Sequence, residues 1–159
     1  MNNMSTSDSS DTAHSRCEFY RIQHDLPASI EPHANRIVVK VGAIAAITTP
    51  GALGARVRNL LLARQLTPGP IILHTRSLRW TYLLTPDIPF DDYDLYAEMY
   101  RASVTVAPLG ASVALPTPAD PDDRYRVWKE LPSGSSRLSA AALVEVIREC
   151  ARSSRAGTR

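Results

Sequence analysis

The chain has 159 residues, 44% of them hydrophobic and 21% charged, which suits one ordinary domain with a real core. Its longest apolar stretches, such as Ala43 to Ile47 and Leu60 to Ala63, fall far short of the roughly 18 residues of a membrane-spanning helix. The polar start from Met1 to Ser10 lacks the basic and apolar regions of a secretory signal, so a cytoplasmic protein with no membrane partner is expected. Eighteen Lys and Arg against 16 Asp and Glu leave a net charge of +2, too balanced for tight, sequence-blind nucleic-acid binding but compatible with a local basic face.

Residues 1–13 are Ser-, Thr-, Asp- and Asn-rich and are expected to be a disordered tail. Residues 14–150 should form a single α+β domain, and 151–159 a disordered, Arg-bearing tail. Within the domain, Phe19, Ile22 and Leu26 have helical spacing. The β-branched run from Ile37 through Val41 continues into Ala43 to Ile47, with Gly42 marking a bend or bulge. Thr49 and Pro50 read as the cap and first residue of a helix whose Leu53, Val57, Leu60 and Leu61 share a face, with Arg56, Arg58 and Arg64 toward solvent.

Thr67-Pro68-Gly69-Pro70 ends that helix, and Ile71 to Thr75 with Trp80 to Leu84 predict a hairpin closed by a turn holding Arg76 and Ser77. Asp91 can cap a helix from Asp92 to about Ala102, with Tyr93, Tyr96, Ala97 and Tyr100 toward the core. Val104 and Val106, then Val113 and Leu115, alternate around Pro108-Leu109-Gly110 as a second hairpin. After a loop from Pro116 to Asp123, Tyr125 to Trp128 form a last strand, Pro132 to Ser136 a linker, and Ser139 to Cys150 an amphipathic helix carrying Leu143, Val144, Val146 and Ile147. From Asn35 the order is β-α-β-β-α-β, the split β-α-β core of RRM-like and ferredoxin-like domains, with extra antiparallel strands and a C-terminal helix. That fold hosts many functions, so side chains must decide among them.

The densest mixture of chemistry is His74, Arg76, Ser77, Arg79, Trp80 and Tyr82, which could hold a phosphate and stack a base. Strand alternation offers a plainer account: Trp80 and Tyr82 face the core, and the arginines decorate the surface. Tyr125, Arg126, Val127 and Trp128 repeat the mixture. The acids Asp87, Asp91, Asp92, Asp94 and Glu98 suit helix capping better than a calcium loop. His14, Cys17, His24 and His33 supply zinc-ligand atoms at no familiar spacing. No Gly-x-Ser-x-Gly elbow is present, and Gly51 and Gly54 form no phosphate loop. No metal or other cofactor is therefore expected. Cys17 and Cys150 would pair only if the fold brought them together, and free thiols are expected.

The order of these motifs, with the segment GPIILHTRSLRWTYLLTP and the YRVW strand, resembles the primase-polymerase domain of the archaeo-eukaryotic primase superfamily, and more so its short, divergent actinobacterial relatives. The resemblance covers roughly Asn35 to Leu131, through Gly42 to Pro50, Arg76 to Tyr82, Ala114 to Pro118 and Tyr125 to Trp128. It implies an Asp-x-Asp metal pair at the end of the first strand and a phosphate-contacting His after the turn. Here the first place reads Ala45-Ala46-Ile47-Thr48-Thr49, and Trp80 stands near the second. Hydroxyls and methyls cannot hold two Mg²⁺ ions.

The expectation is a non-catalytic binding or regulatory module for nucleotides or single-stranded nucleic acid, with Arg76, Ser77, Arg79, Trp80 and Arg126 as its surface. The competing expectation is a protein-interaction or homodimerisation module that uses the C-terminal helix or the aromatic strand faces. Residual nucleotidyl transfer would need Asp87, Asp91 or Asp120 to replace the lost carboxylates, and none stands at the strand-to-helix junction.

Overall fold

The computed structural model describes residues 11–118 and 125–157. In chain order the elements are α1 (Ala13–His24), β1 (Ala28–Glu31), β2 (Arg36–Lys40), β3 (Ala45–Pro50), α2 (Gly51–Ala63), β4 (Ile71–His74), β5 (Arg79–Leu84), α3 (Tyr93–Arg101), β6 (Thr105–Val106), β7 (Ser112–Ala114), β8 (Arg126–Glu130) and α4 (Ala140–Ala156). Five strands pair in the order β6-β3-β5-β4-β8, every neighbour antiparallel. The run β3-α2-β4-β5-α3-β6 sets β5 between β3 and β4, which is the expected split β-α-β core. The fold is thus α+β with added antiparallel strands and a C-terminal helix. No helix among the described residues is long and apolar enough to cross a membrane.

Because successive strand residues point to opposite faces, the central pair β3 and β5 feeds two cores. Ala45, Ile47, Trp80, Tyr82 and Leu84 pack with Leu53, Val57 and Leu61 of α2, Leu95 and Met99 of α3, and the apolar face of α4. Thr49 belongs to this face as a strand residue: it is fully buried, Pro50 is the N-cap of α2, and that cap has no side-chain bond. Backbone continuity from β3 into α2 leaves Thr49 no geometry in which to cap. The Tyr82 hydroxyl donates to the Gly54 carbonyl at 2.7 Å. A Cβ on Gly54 would lie 2.6 Å from Thr49 Oγ1 and 3.0 Å from Trp80 Cε3, so glycine is required by the close approach of helix to sheet.

The arginines expected to face solvent from α2 make tertiary ties. Arg58 pairs with Glu130 of β8, Arg64 with Glu149 of α4 at 2.5 Å, and Arg56 donates to the Cys150 carbonyl. Asp92, not Asp91, caps α3 by accepting from Leu95 N at 3.0 Å. The α3 face is rotated from expectation: Leu95 and Met99 are buried, while Tyr93 and Tyr100 are 74% and 77% exposed. Burying Leu and Met leaves no hydroxyl to satisfy, whereas a buried Tyr needs a partner. Asp87 serves a different helix, accepting from the Ser139 hydroxyl and from Ala141 N at the start of α4.

On the other face of the five-stranded sheet lies a three-stranded antiparallel sheet, β1-β2-β7, with α1. Ala46, Ile72 and Leu83 share its core with Ile37, Val39, Cys17 and Tyr20, and Trp128 packs against it. Trp128 Nε1 donates to the Tyr20 hydroxyl at 3.0 Å, which donates to the Pro116 carbonyl at 2.8 Å. Three expectations change here. The run from Ile37 to Ile47 is two strands in two sheets, parted at Gly42, whose φ is 153°. The expected second hairpin is absent, because β6 pairs with β3 and β7 with β2. In each case the β-branched pattern is real but the strands pair in different sheets.

The third change concerns α1, which begins at Ala13 with Thr12 as its cap and buries Ala13, Cys17 and Tyr20, leaving Phe19 and Ile22 exposed. The remainder of the expected N-terminal tail, residues 1–10, lies outside the described residues, as do residues 119–123 of the expected loop, Asp120 among them, and residues 124 and 158–159. Of the expected C-terminal tail, α4 takes up residues through Ala156. Cys17 and Cys150 are free and buried in different cores, on opposite faces of the large sheet, and burial pushes both thiols up.

Gly54→Ala should cost about 1–3 kcal/mol through overpacking. Thr49→Val should gain about 1 kcal/mol, since Thr49 Oγ1 is buried without a hydrogen-bond partner. Urea denaturation of both variants checks this contrast. For Asp87, burial raises the pKa, but the hydrogen bonds from Ser139 and Ala141 outweigh it and hold the carboxyl below its ordinary 3.8. Its capping contribution is therefore present above 3.8 and lost as pH falls through the lowered value. Asp87→Ala should cost about 1 kcal/mol at neutral pH, and the gap to wild type should narrow in denaturation series taken into acid.

Candidate functional site

Away from the apolar end where α1 joins them, residues of both sheets line an open polar cavity of about 490 Å³. Its floor is the large sheet: Thr48 of β3, Arg79 and Thr81 of β5, His74 of β4 and Arg126 of β8. These residues converge because the antiparallel register sets Thr48 opposite Thr81, and His74 opposite both Arg79 and Arg126. The roof is the small sheet, with Glu31 of β1, Arg36 of β2 and Ser112 of β7, and Ser77 stands at the rim in the β4–β5 turn.

Three side chains form a hydrogen-bonded row across three strands. His74 Nε2 lies 2.8 Å from Thr81 Oγ1, which lies 2.7 Å from Thr48 Oγ1. Arg79 is steadied by donating to the Ser103 carbonyl at 2.7 Å and the Thr48 carbonyl at 3.3 Å. Arg36 donates through Nε and Nη2 to Glu31 Oε2 at 3.1 and 2.8 Å. Burial, then the charges of Arg126 and Arg79, hold His74 below its ordinary 6.5, so it is neutral at pH 7. Among the described residues the arrangement is a set of N–H and O–H donors with a positive balance of charge in a cleft, suited to an oxyanion.

Of the five residues expected to form a surface, Ser77, Arg79 and Arg126 line this cavity. Arg76 does not: its guanidinium stacks 3.3 Å from the centroid of the Tyr125 ring and bonds the Tyr125 hydroxyl. Trp80 is 8% exposed in the core beneath α2, with Lys129 over its ring at 5.2 Å, so it offers no stacking platform. Strand parity explains the division, since Arg79 and Thr81 share one face of β5, and Trp80 and Tyr82 the other. Thr48, Thr81 and Arg36 were missed in sequence, although parity with Arg79 could have found Thr81.

On β3, Ala46 and Thr48 line the cavity, and on β5 the residue opposite Thr48 is Thr81. Glu31 is the one acidic side chain lining the cavity among the described residues. Among those residues no group of three or more His, Cys, Asp or Glu could hold a metal ion. The four zinc-type residues are dispersed: Cys17 is buried, His14 faces Glu18, and the His24 ring contacts the Gly134 carbonyl.

A second cavity of about 470 Å³ lies between α3 and α4. Its charges have a structural account. Arg148 is bidentate to Glu98 at 2.7 Å and bonds Glu145 at 2.5 Å, while Arg101 and Arg155 sit in the last turns of α3 and α4, where they offset the helix dipoles. In the cavity between the sheets Arg36 is likewise paired, with Glu31, and Arg79 is held by backbone carbonyls. No protein-family model matches the chain, and no curated protein or solved structure matches it.

Because the unfolded chain carries a more basic His74, it binds more protons than the folded one just below 6.5, so stability falls as pH drops through that value. His74→Gln should remove this component. Urea midpoints of wild type and variant, taken between neutral pH and about pH 5, should fall further for wild type.

Proposed function

We propose that the chain is a non-catalytic relative of the primase-polymerase domain that holds the phosphate groups of a nucleotide or of single-stranded nucleic acid in the cavity between its sheets. The observation that carries this reading is the convergence of Arg79, Arg126, His74 and Ser77 with the Thr48 and Thr81 hydroxyls in a cleft of nucleotide-sized volume. RRM-like sheets present the same face to single-stranded RNA. Here that face is closed at one end by α1 and the small sheet and open at the other over the basic residues. With Ala46 and Thr48 on the strand where metal carboxylates would stand, the site recognises phosphate without supplying phosphoryl-transfer chemistry.

Fluorescence anisotropy of a labelled single-stranded oligonucleotide, with unlabelled nucleoside triphosphate as competitor, tests this reading. Arg126→Ala and Arg79→Ala should each weaken binding about ten- to a hundredfold, since hydrogen bonds to charged groups contribute about 1.5–3 kcal/mol. Arg76→Ala should leave it within about twofold. The slope of log K on log salt should be near −2, for about three phosphates neutralised. Equal affinity in all three variants would remove the cavity from any binding function.

A second reading, a protein-interaction or homodimerisation module with no nucleic-acid role, draws support from the exposed Tyr93 and Tyr100 on α3. The apolar face of α4, the other candidate for that role, is spent inside the core. Light scattering of wild type and a Tyr93→Ser, Tyr100→Ser variant distinguishes the two, because only this second reading has particle mass depend on those rings.

A further inference from the structure

On the reading just given, we infer that the cavity takes its oxyanion without a divalent cation, and that His74 takes up a proton as the anion seats, linked to it through Thr81 and Thr48.

The first part follows from the lining. Magnesium at a phosphate site is bound through one or two carboxylates as well as the phosphate oxygens. Among the described residues the one carboxylate lining it, Glu31, already accepts two hydrogen bonds from Arg36 on a single oxygen. Arg36, Arg79 and Arg126 surround the remaining space. The charges of Arg126 and Arg79, which already act on His74, repel a cation and attract the anion in its place.

The second part follows from the row of hydrogen bonds and the charges around it. The groups facing His74 are Arg79 from β5 and Arg126 from β8, with Arg36 and Glu31 across the cavity from β2 and β1. Empty, burial and then this positive surrounding keep the imidazole neutral. A dianion between the arginines reverses the local field and favours the imidazolium. The imidazolium donates from Nε2 to Thr81 Oγ1, and each threonine has one hydroxyl hydrogen, so Thr81 then donates to Thr48. The Thr48 hydrogen is left for the cavity, one further donor to the anion. In the neutral ring with its proton on Nδ1 the row runs the other way, and Thr48 turns a lone pair toward the negative charge.

Affinity should therefore rise as pH falls through the pKa of His74 in the complex and level off below its value in the empty cavity. Isothermal titration calorimetry with sodium sulfate and with a short oligothymidylate, both in EDTA, tests this, because neither probe changes charge between about pH 5.5 and 8. The expected result is EDTA-insensitive binding that tightens by up to about tenfold across that range, as a one-unit rise in pKa would give. The observed heat should depend on the ionisation enthalpy of the buffer, reporting proton uptake by wild-type protein. His74→Gln, whose amide can still reach Thr81, should bind with pH-independent affinity. Binding that requires added Mg²⁺, or that shows neither pH dependence nor proton uptake, overturns this inference while leaving the phosphate reading standing. Failure of both probes to bind at any pH, or binding undiminished by Arg79→Ala and Arg126→Ala, overturns both.

Discussion

The antiparallel pairing of β3 with β5 holds the rest of the molecule in place, because it sits at the centre of the large sheet and its two-residue period distributes side chains between two unlike environments. Ile47 opposite Tyr82 and Thr49 opposite Trp80 go to the helices. Thr48 opposite Thr81 and Ala46 opposite Leu83 go to the other layer. A slip of one residue would put Trp80 and Tyr82 into the polar cavity and Arg79 under α2, where a charge without a partner is costly. The register is therefore held by both faces at once, and Gly54 tightens it by letting α2 reach the Tyr82 hydroxyl and the Trp80 ring.

The cavity exists because the second layer covers only part of that sheet. At one end Tyr20, Trp128 and the Pro116 carbonyl are joined by hydrogen bonds around a T-shaped ring contact of 5.7 Å, which closes α1 onto β8. At the other end, small and hydroxylated residues of β3, β5 and β7 leave room, and long cationic side chains from both sheets line it. Polar groups gathered in a partly closed space interact more strongly than on an open surface. In the α3–α4 groove Arg148 is engaged with carboxylates, as Arg36 is with Glu31 in the cavity.

Much of the architecture could be read from residue pattern. The split β-α-β order, the β4–β5 hairpin and the amphipathic α4 all follow from apolar periodicity and from Pro and Gly punctuation. The misreadings share a cause. Tyr93, Tyr96 and Tyr100 have the same helical spacing as a buried stripe, and only the Leu95–Met99 face, rotated around α3, meets the core. Val104 and Val106 alternate like half of a hairpin with Val113 and Leu115, yet the two pieces pair with different sheets. Periodicity reports that a face is apolar and does not report which neighbour will cover it.

The candidate site was half legible for the same reason. His74, Ser77, Arg79 and Arg126 lie in segments dense with functional chemistry, whereas Arg36 and Thr48 stand in strands with nothing else to mark them. What the sequence by itself determined is local: which segments are helix or strand, which of their faces alternate, and that no carboxylate pair stands at the end of β3. Only the tertiary structure decided which alternating face became core and which became cavity. It alone separated Arg79 from Trp80, set His74, Thr81 and Thr48 in a row, and brought Arg36 from another sheet to face them. Those outcomes depend on pairings between residues far apart in the chain, chosen by the total apolar burial of the whole domain, and no local pattern encodes that sum.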